Sequence, residues 1–341
     1  MISTPPVSRP VLTVVSNADE KFFPGLAVAV ASTVAAASGK YDYHFLILDG
    51  GLAATSLDGL RERVQQIAGK KGIQVTLEQL VIDQNRLLAL PERRGSRMTY
   101  AKLVLPEILP HLDSIIYLDA DVLCFTGIEQ VHAPQGQGHW LLAGALDFFA
   151  VIEKDCPWIE QVPTAERRLP YINCGVMEMN LKGLREIDFT DRAITARAAI
   201  AHARQGDQSV FNFLCRGRSY ILPEAINHRT SIGATRPLCE GDLDLNLHYI
   251  GSPKPWLGGP KTSNWLAHSL WHQANHHLFS TGKAAMPALP TRDLTTIRSK
   301  ALLYTLSNPT RAAHYRSDIR SLKDPAGILK KAEEHWVSLI S

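Results

Sequence analysis

Two aspartates, Asp119 and Asp121, stand one residue apart directly after the apolar run Ile115-Ile116-Tyr117-Leu118. The run reads as a buried strand, so both carboxylates fall where the chain leaves a sheet. Side chains two apart on an extended backbone share a face, and both oxygens can converge on one cation. Adjacent anions otherwise repel and raise one pKa, so a bound divalent metal accounts for the pair. Asp is also common in the turn after a strand, where it makes local hydrogen bonds. On the tripeptide alone that ordinary reading is the better one. It is overturned by the other polar motifs that punctuate apolar segments further along.

Those motifs need elements to hold them. Val11-Leu12-Thr13-Val14-Val15 predicts a strand ending at the turn-rich Ser16-Asn17-Ala18-Asp19. An Ala-rich helix is expected from Leu26, strands over 43–48 and 74–80, and helices over 57–68 and 99–109. This alternation argues for a mainly parallel sheet covered on both faces, in which ligands gather at the carboxyl ends of the strands. Asp19 and Asp119-Ala120-Asp121 lie at such ends and can meet in one cleft. Beyond residue 140 the pattern loosens. An apolar stretch over 141–145 precedes Asp147, and 171–177 mixes strand formers with Asn173 and Gly175. A helix is expected over 187–203, and Gly206-Asp207-Gln208 opens another. From about residue 287 short helices and loops carry an excess of Lys and Arg, with no internal repeat and no low-complexity linker.

A chain of 341 residues fits one large domain or a domain with an appendage. A formal charge of +3 gives no argument for nucleic acid as a partner. Five cysteines without close pairing read as free thiols in a reducing compartment, and no Cys/His spacing suits structural zinc. The first ten residues lack the basic region and apolar core of a signal peptide. The apolar stretch over 26–37 is too short and too rich in Ala, Ser and Thr to span a bilayer. A cytoplasmic protein is expected.

Taken in order, these segments resemble the family 8 glycosyltransferases, the GT-A-fold group that includes bacterial lipopolysaccharide galactosyl- and glucosyltransferases and glycogenin. The resemblance runs from about Val11 to Trp256. It rests on a strand followed by Asp19, then Thr99-Tyr100-Ala101-Lys102-Leu103, Tyr117-Leu118-Asp119-Ala120-Asp121, Asn173-Cys174-Gly175-Val176 and Asp207-Gln208. It closes with His248-Tyr249-Ile250-Gly251 and Lys254-Pro255-Trp256. The fold implied is α/β, a GT-A domain with a Rossmann-like, mainly parallel sheet over 1–286. A helical C-terminal segment is expected over 287–341, as a membrane- or acceptor-associated extension. The activity implied is hexosyl transfer from UDP-galactose or UDP-glucose to a saccharide or lipid-linked glycan, with retention at the anomeric carbon.

The resemblance also assigns residues. Asp119, Asp121 and His248 would hold Mn²⁺ or Mg²⁺, the imidazole favouring Mn²⁺ modestly. The ion neutralises the departing diphosphate. Gly251 and Lys254 suit a phosphate cradle, although a lysine in a proline turn is commonly just exposed. Asp19 matches the uridine-holding position, while Lys21 stands where the family often has Asn. Lys102 replaces the family's usual Arg and is expected to contact donor sugar or phosphate. Asp147, Asn173, Asp207 and Gln208 match positions lining the donor-sugar pocket, and Gly206-Asp207 doubles as a helix start. Gln208 is the nearest match to a nucleophile. An amide is a poor one, so a front-face route is preferred to double displacement.

Two other readings compete. A nucleotidyltransferase also uses a strand-ending carboxylate pair, but 16–23 offers no Gly-rich basic loop. A non-catalytic sugar-nucleotide binding protein would not need His248, Asp207 and Gln208 beside both carboxylates. In the C-terminal segment, Arg311, Arg316, Arg320, Lys330 and Lys331 alternate with Leu303, Tyr315, Ile319 and Trp336. That mixture suits peripheral contact with the anionic inner face of the plasma membrane, and a solvated helical face equally well.

Overall fold

The computed structural model describes residues 9–93, 96–132, 139–199, 205–230, 243–258, 265–279, 291–307 and 325–340, with 309, 312, 316 and 319. Its first half follows the expected alternation: β1 (Val11–Ala18), α1 (Phe23–Ala35), β2 (Asp42–Asp49), α2 (Ala54–Lys71) and β3 (Val75–Leu80). Every residue of α1 from Gly25 to Ala35 is buried, which explains its lack of a polar face. Helix α2 buries only a stripe, Leu57, Leu60, Val64, Ile67 and Ala68. It ends at Gly72, whose φ of 63° closes the last turn.

The expected helix over 99–109 is instead a 3₁₀ turn, Met98–Val104, followed by the short α3 (Leu105–Ile108). Then come β4 (Ser114–Leu118), β5 (Val122–Cys124), β6 (Leu142–Val151) and β7 (Pro170–Asn180). The helix expected over 187–203 is broken. α4 (Leu181–Glu186) and α5 (Phe189–Ala199) are separated at Asp188, whose φ is 52°. Residues 200–204 lie outside the described set. α6 (Asp207–Leu214), β8 (Ser219–Leu222), β9 (His228–Arg229), β10 (Asn246–His248), α7 (Trp265–Phe279), α8 (Thr291–Ser307) and a helix Pro325–Ile340 follow among the described residues.

The main sheet has the order β3-β2-β1-β4-β7-β6-β8. It is parallel from β3 to β4 and between β6 and β8, while β7 runs antiparallel to both neighbours. One apolar core joins α1, α2, α7 and the helix Pro325–Ile340 to one face; a second joins α3 to α6 to the other. The chain winds outward from β1 to β3 and then returns to β4 on the opposite side. The crevice at the ends of β1 and β4 is therefore the topological switch point. A small second sheet, β5-β10-β9, stands beside it.

The C-terminal helices are longer than expected. Trp336, expected among the membrane-facing residues, is fully buried with its ring 5.0 Å from Phe125. A side chain in the core is removed from any lipid surface. Arg311, Tyr315 and Arg320 lie outside the described residues.

Candidate active site

The two carboxylates converge, but through a turn rather than along an extended strand. β4 stops at Leu118, Asp119 N–H donates to Gly175 O at 2.7 Å, and Val122 N–H closes the turn on Asp119 O at 3.3 Å. His248 arrives from the small sheet, where it pairs with Val122 and Tyr249 N–H donates to Asp121 O. One potential ligand atom from each of Asp119, Asp121 and His248 lies within 4.8 Å of the others. His248 Nε2 is 3.2 Å from Asp121 Oδ1 and 3.8 Å from Asp119 Oδ2. A Cβ at position 175 would lie 2.6 Å from His248 Nδ1, so glycine there makes room for the ring. Two carboxylates and an imidazole form a donor set that fits a hard divalent cation of the Mn²⁺ type.

Lysines brace the carboxylates. Lys102 is buried, and its Nζ is 3.0 Å from both Asp119 Oδ1 and Asp207 Oδ2, 3.3 Å from Cys174 O and 4.2 Å above the Tyr117 ring. Burial alone would depress this ammonium, but the charges of Asp119 and Asp207 raise its pKa well above the ordinary value. Lys102, expected to contact donor sugar or phosphate, instead has its three donors directed at protein oxygens. Lys254 is buried too, not exposed in its proline turn, and donates to Asp121 Oδ2 and Tyr249 O. Burial raises the Asp119 pKa, and the neighbouring Asp121 charge adds to it. Desolvation would raise the half-buried Asp121 as well, yet Lys254 and His248 hold it far below the usual carboxylate range.

Two adjoining compartments flank this cluster and share Arg93, Thr99, Asp119, Asp121 and Lys254. The larger, 290 Å³, is lined also by Asn17, Asp19, Lys21 and Phe22. The smaller, 200 Å³, reaches Lys102, Asn173, Asp207, Gln208, His248 and Gly251. Asp19 Oδ1 accepts Phe22 N–H at 2.9 Å, fixing the turn into α1. Trp256 is a clamp: its Nε1 donates to Lys21 O, and its ring packs on Phe22 and Trp271.

Asp207 does not cap its helix. Gly206, with a φ of 61°, is the N-cap, and the Asp207 carboxylate instead takes Lys102 and the Thr99 hydroxyl at 3.1 Å. Gln208 Oε1 accepts Cys174 N–H at 3.1 Å. Asp147 is buried behind Asn173, whose Nδ2 donates to Asp147 Oδ2 at 2.8 Å. Two site residues carried no sequence signal strong enough to name them. Arg93 lines both compartments from a basic turn, and Asn227 bonds His248 Nδ1 at 2.9 Å.

A parallel half joined to antiparallel strands, with acidic residues where the strand order reverses, is the GT-A plan of a glycosyltransferase. Among solved structures, the galactosyltransferase LgtC in complex with donor and acceptor sugar analogs has a TM-score of 0.62 at 22% identity. The match covers 80% of this chain and 98% of that one. GlyE of Streptococcus pneumoniae aligns with a TM-score of 0.56 at 18% identity, over 79% of this chain and 60% of that one. The model of Glycosyl transferase family 8 matches residues 13–258, and the chain belongs to that family. A curated relative, the lipopolysaccharide 1,2-glucosyltransferase of Escherichia coli K12, is 26% identical over 263 residues, 72% of each chain.

Proposed function

We propose that this glycosyltransferase moves a galactosyl or glucosyl group from a UDP-sugar to a lipopolysaccharide-type saccharide, with retention, using Mn²⁺ or Mg²⁺ at Asp119, Asp121 and His248. The observation that carries the reading is the carboxylate–imidazole cluster at the junction of the two compartments. The larger suits the nucleoside, beside Asp19 and Lys21, and the smaller the sugar, beside Asn173, Asp207 and Gln208. The 26% identical relative, by its name a lipopolysaccharide glucosyltransferase, supports the acceptor class.

When bound, the cation supplies charge that stabilises the departing diphosphate. Lys254 lines both compartments and would offer the diphosphate oxygens a second positive charge. Lys102 fixes the carboxylates of Asp119 and Asp207. Gln208 has its amide oxygen on a backbone N–H, which supports positioning of the sugar over nucleophilic attack. In the front-face route, the bond from the anomeric carbon to the phosphate oxygen breaks. The acceptor oxygen bonds to that carbon on the same face, and its proton passes to the departing phosphate.

The cytoplasmic face of the membrane is the proposed location. No described helix is long and apolar enough to cross a bilayer. Leu302, Leu303 and Leu306 on α8 are 78%, 70% and 94% exposed, and Arg298 and Lys300 accompany them. That combination suits shallow contact with anionic lipid.

A donor panel tests the activity without an acceptor. UDP-galactose or UDP-glucose should be hydrolysed with Mn²⁺ and spared in its absence, releasing the sugar first as the α-anomer. Failure to turn over any UDP-sugar, with condensation of a nucleoside triphosphate and a sugar phosphate instead, would establish nucleotidyl transfer. Binding of UDP-sugars without turnover would leave a binding protein.

A further inference from the structure

We propose that Asn227 is a positioning residue that keeps a proton on His248 Nδ1, so that Nε2 is the nitrogen free to meet a cation. The inference rests on the reading of Asp119, Asp121 and His248 as cation ligands, and it follows from a chain of side-chain amides with one permitted direction.

The chain starts from two groups that cannot turn round. Gly175 N–H is a backbone donor, and it points at Asn173 Oδ1 at 3.0 Å. The Asp147 carboxylate can only accept, and Asn173 Nδ2 lies 2.8 Å from its Oδ2. Together they fix which end of the Asn173 amide is oxygen, an assignment that an isolated amide would leave open. Asn227 meets that oxygen at 2.8 Å and must present its NH₂. Its own oxygen is thereby turned to His248 Nδ1 at 2.9 Å and requires a proton there. Asn227, Asn173 and His248 are all buried, so water does not compete for these bonds.

The opposing pull is visible as well. Asp121 Oδ1, 3.2 Å from Nε2, favours a proton on that nitrogen. With the Asn227 oxygen gone, Asp121 is the stronger acceptor on the ring. The neutral imidazole then settles as the Nε2–H form, which blocks its ligand position. Histidine ligands are commonly oriented in this way by an acceptor on the second nitrogen, whose loss costs about 10–100-fold in metal affinity. Since Asp147 and Asn173 anchor the relay, residues of the sugar side also set the imidazole.

The test uses the full chain labelled with ¹⁵N-histidine, its His248 signals assigned by their loss in His248→Ala. Two-bond ¹H–¹⁵N correlation spectra should show Nδ1 protonated in the metal-free wild type and with diamagnetic Mg²⁺. In Asn227→Ala, Nδ1 should become the bare nitrogen and the Mn²⁺ Kd should rise about 10–100-fold by calorimetry. Asn227→Asp, which keeps the acceptor at His248 but loses the donor to Asn173 Oδ1, should keep the Nδ1 proton. In the His248→Ala background, Asn227→Ala should add no further loss. A bare Nδ1 in the wild type overturns the proposal, even if the Ala variant fails to fold. So does an unchanged ring in Asn227→Ala, or an undiminished effect without His248. A wild type that binds no divalent cation, yet shows the Nδ1 proton lost on removing Asn227, would sink the cation reading and keep the relay.

Discussion

Gly175→Ala separates the geometry of the cluster from its charge, because it adds one methyl group and removes no ligand. The new carbon would lie 2.6 Å from His248 Nδ1 and 3.0 Å from Asp119 Oδ2, with the adjacent ring carbon closer still. Comfortable contact between such atoms needs about 3.5 Å, so the ring must retreat by about 1.4 Å from its 2.1 Å approach at Cε1. β7 cannot yield instead without loosening β4, since Gly175 O holds Asp119 N–H at 2.7 Å. Metal–ligand distances tolerate only about 0.2 Å, so a displacement several times larger takes Nε2 out of range. Overpacking of this size costs about 1–3 kcal/mol of stability. The variant should therefore fold, with a lower urea midpoint, and bind Mn²⁺ at least about tenfold more weakly. Its affinity should approach that of His248→Ala. Calorimetric titration of both variants beside the wild type decides the matter. A Gly175→Ala chain with the wild-type Mn²⁺ isotherm would refute the steric argument and the ligand role of His248 with it.

Further outcomes follow from the same geometry. Asp121→Asn should lower UDP-sugar hydrolysis about 100- to 1,000-fold, because it weakens the hold on the cation that would stabilise the departing diphosphate. Wild-type turnover with Mn²⁺ dependence intact would take Asp121 out of the cation site. Gln208→Ala should reduce turnover far more than UDP affinity, since UDP lacks the sugar; equal losses would point to a collapsed α6 start. Burial, aided by the charges of His272 and Lys254, lowers the His268 pKa from 6.5 to about 4. Below pH 6.5 the unfolded chain thus takes the proton first, and stability should fall by up to about 3 kcal/mol between there and pH 4. Urea unfolding across that window should show the decline flattened in His268→Gln, and an equal slope would assign it elsewhere. Replacing Leu302, Leu303 and Leu306 by Ser should weaken binding to anionic vesicles and leave donor hydrolysis unchanged. Vesicle binding at wild-type strength would remove α8 from the membrane contact.

The first half of the fold was legible because its periods are strong. β1, β2 and β3 are continuous apolar runs or alternations, α2 carries a single apolar stripe, and the structure moves their ends by only a few residues. What failed was local. Nothing in the residues 181–199 announces a break at Asp188, because a non-glycine residue at positive φ is held there by its surroundings. The small sheet was equally silent. Strands of three residues have no readable period, yet the β5–β10 pairing is what sets His248 beside Asp121. The convergence of Asp119 and Asp121 was expected from an extended backbone and is achieved by a turn. The pair meets by a geometry other than the one the residue pattern suggests.

Residue types and order found the acids, the imidazole and the two lysines, but not how each is employed. Lys102 shows why. An ammonium reads as a free positive charge until its acceptors are counted, and here Asp119, Asp207 and the Cys174 carbonyl account for all three donors. Its contribution passes through the two carboxylates it spaces, Asp119 beside Asp121 and His248, and Asp207 at the start of α6. A guanidinium, being planar and longer, cannot direct three bonds to the same trio from the same buried point. The lysine thus sits drawn back into the wall of the smaller compartment, which Asn173, Asp207 and Gln208 also line.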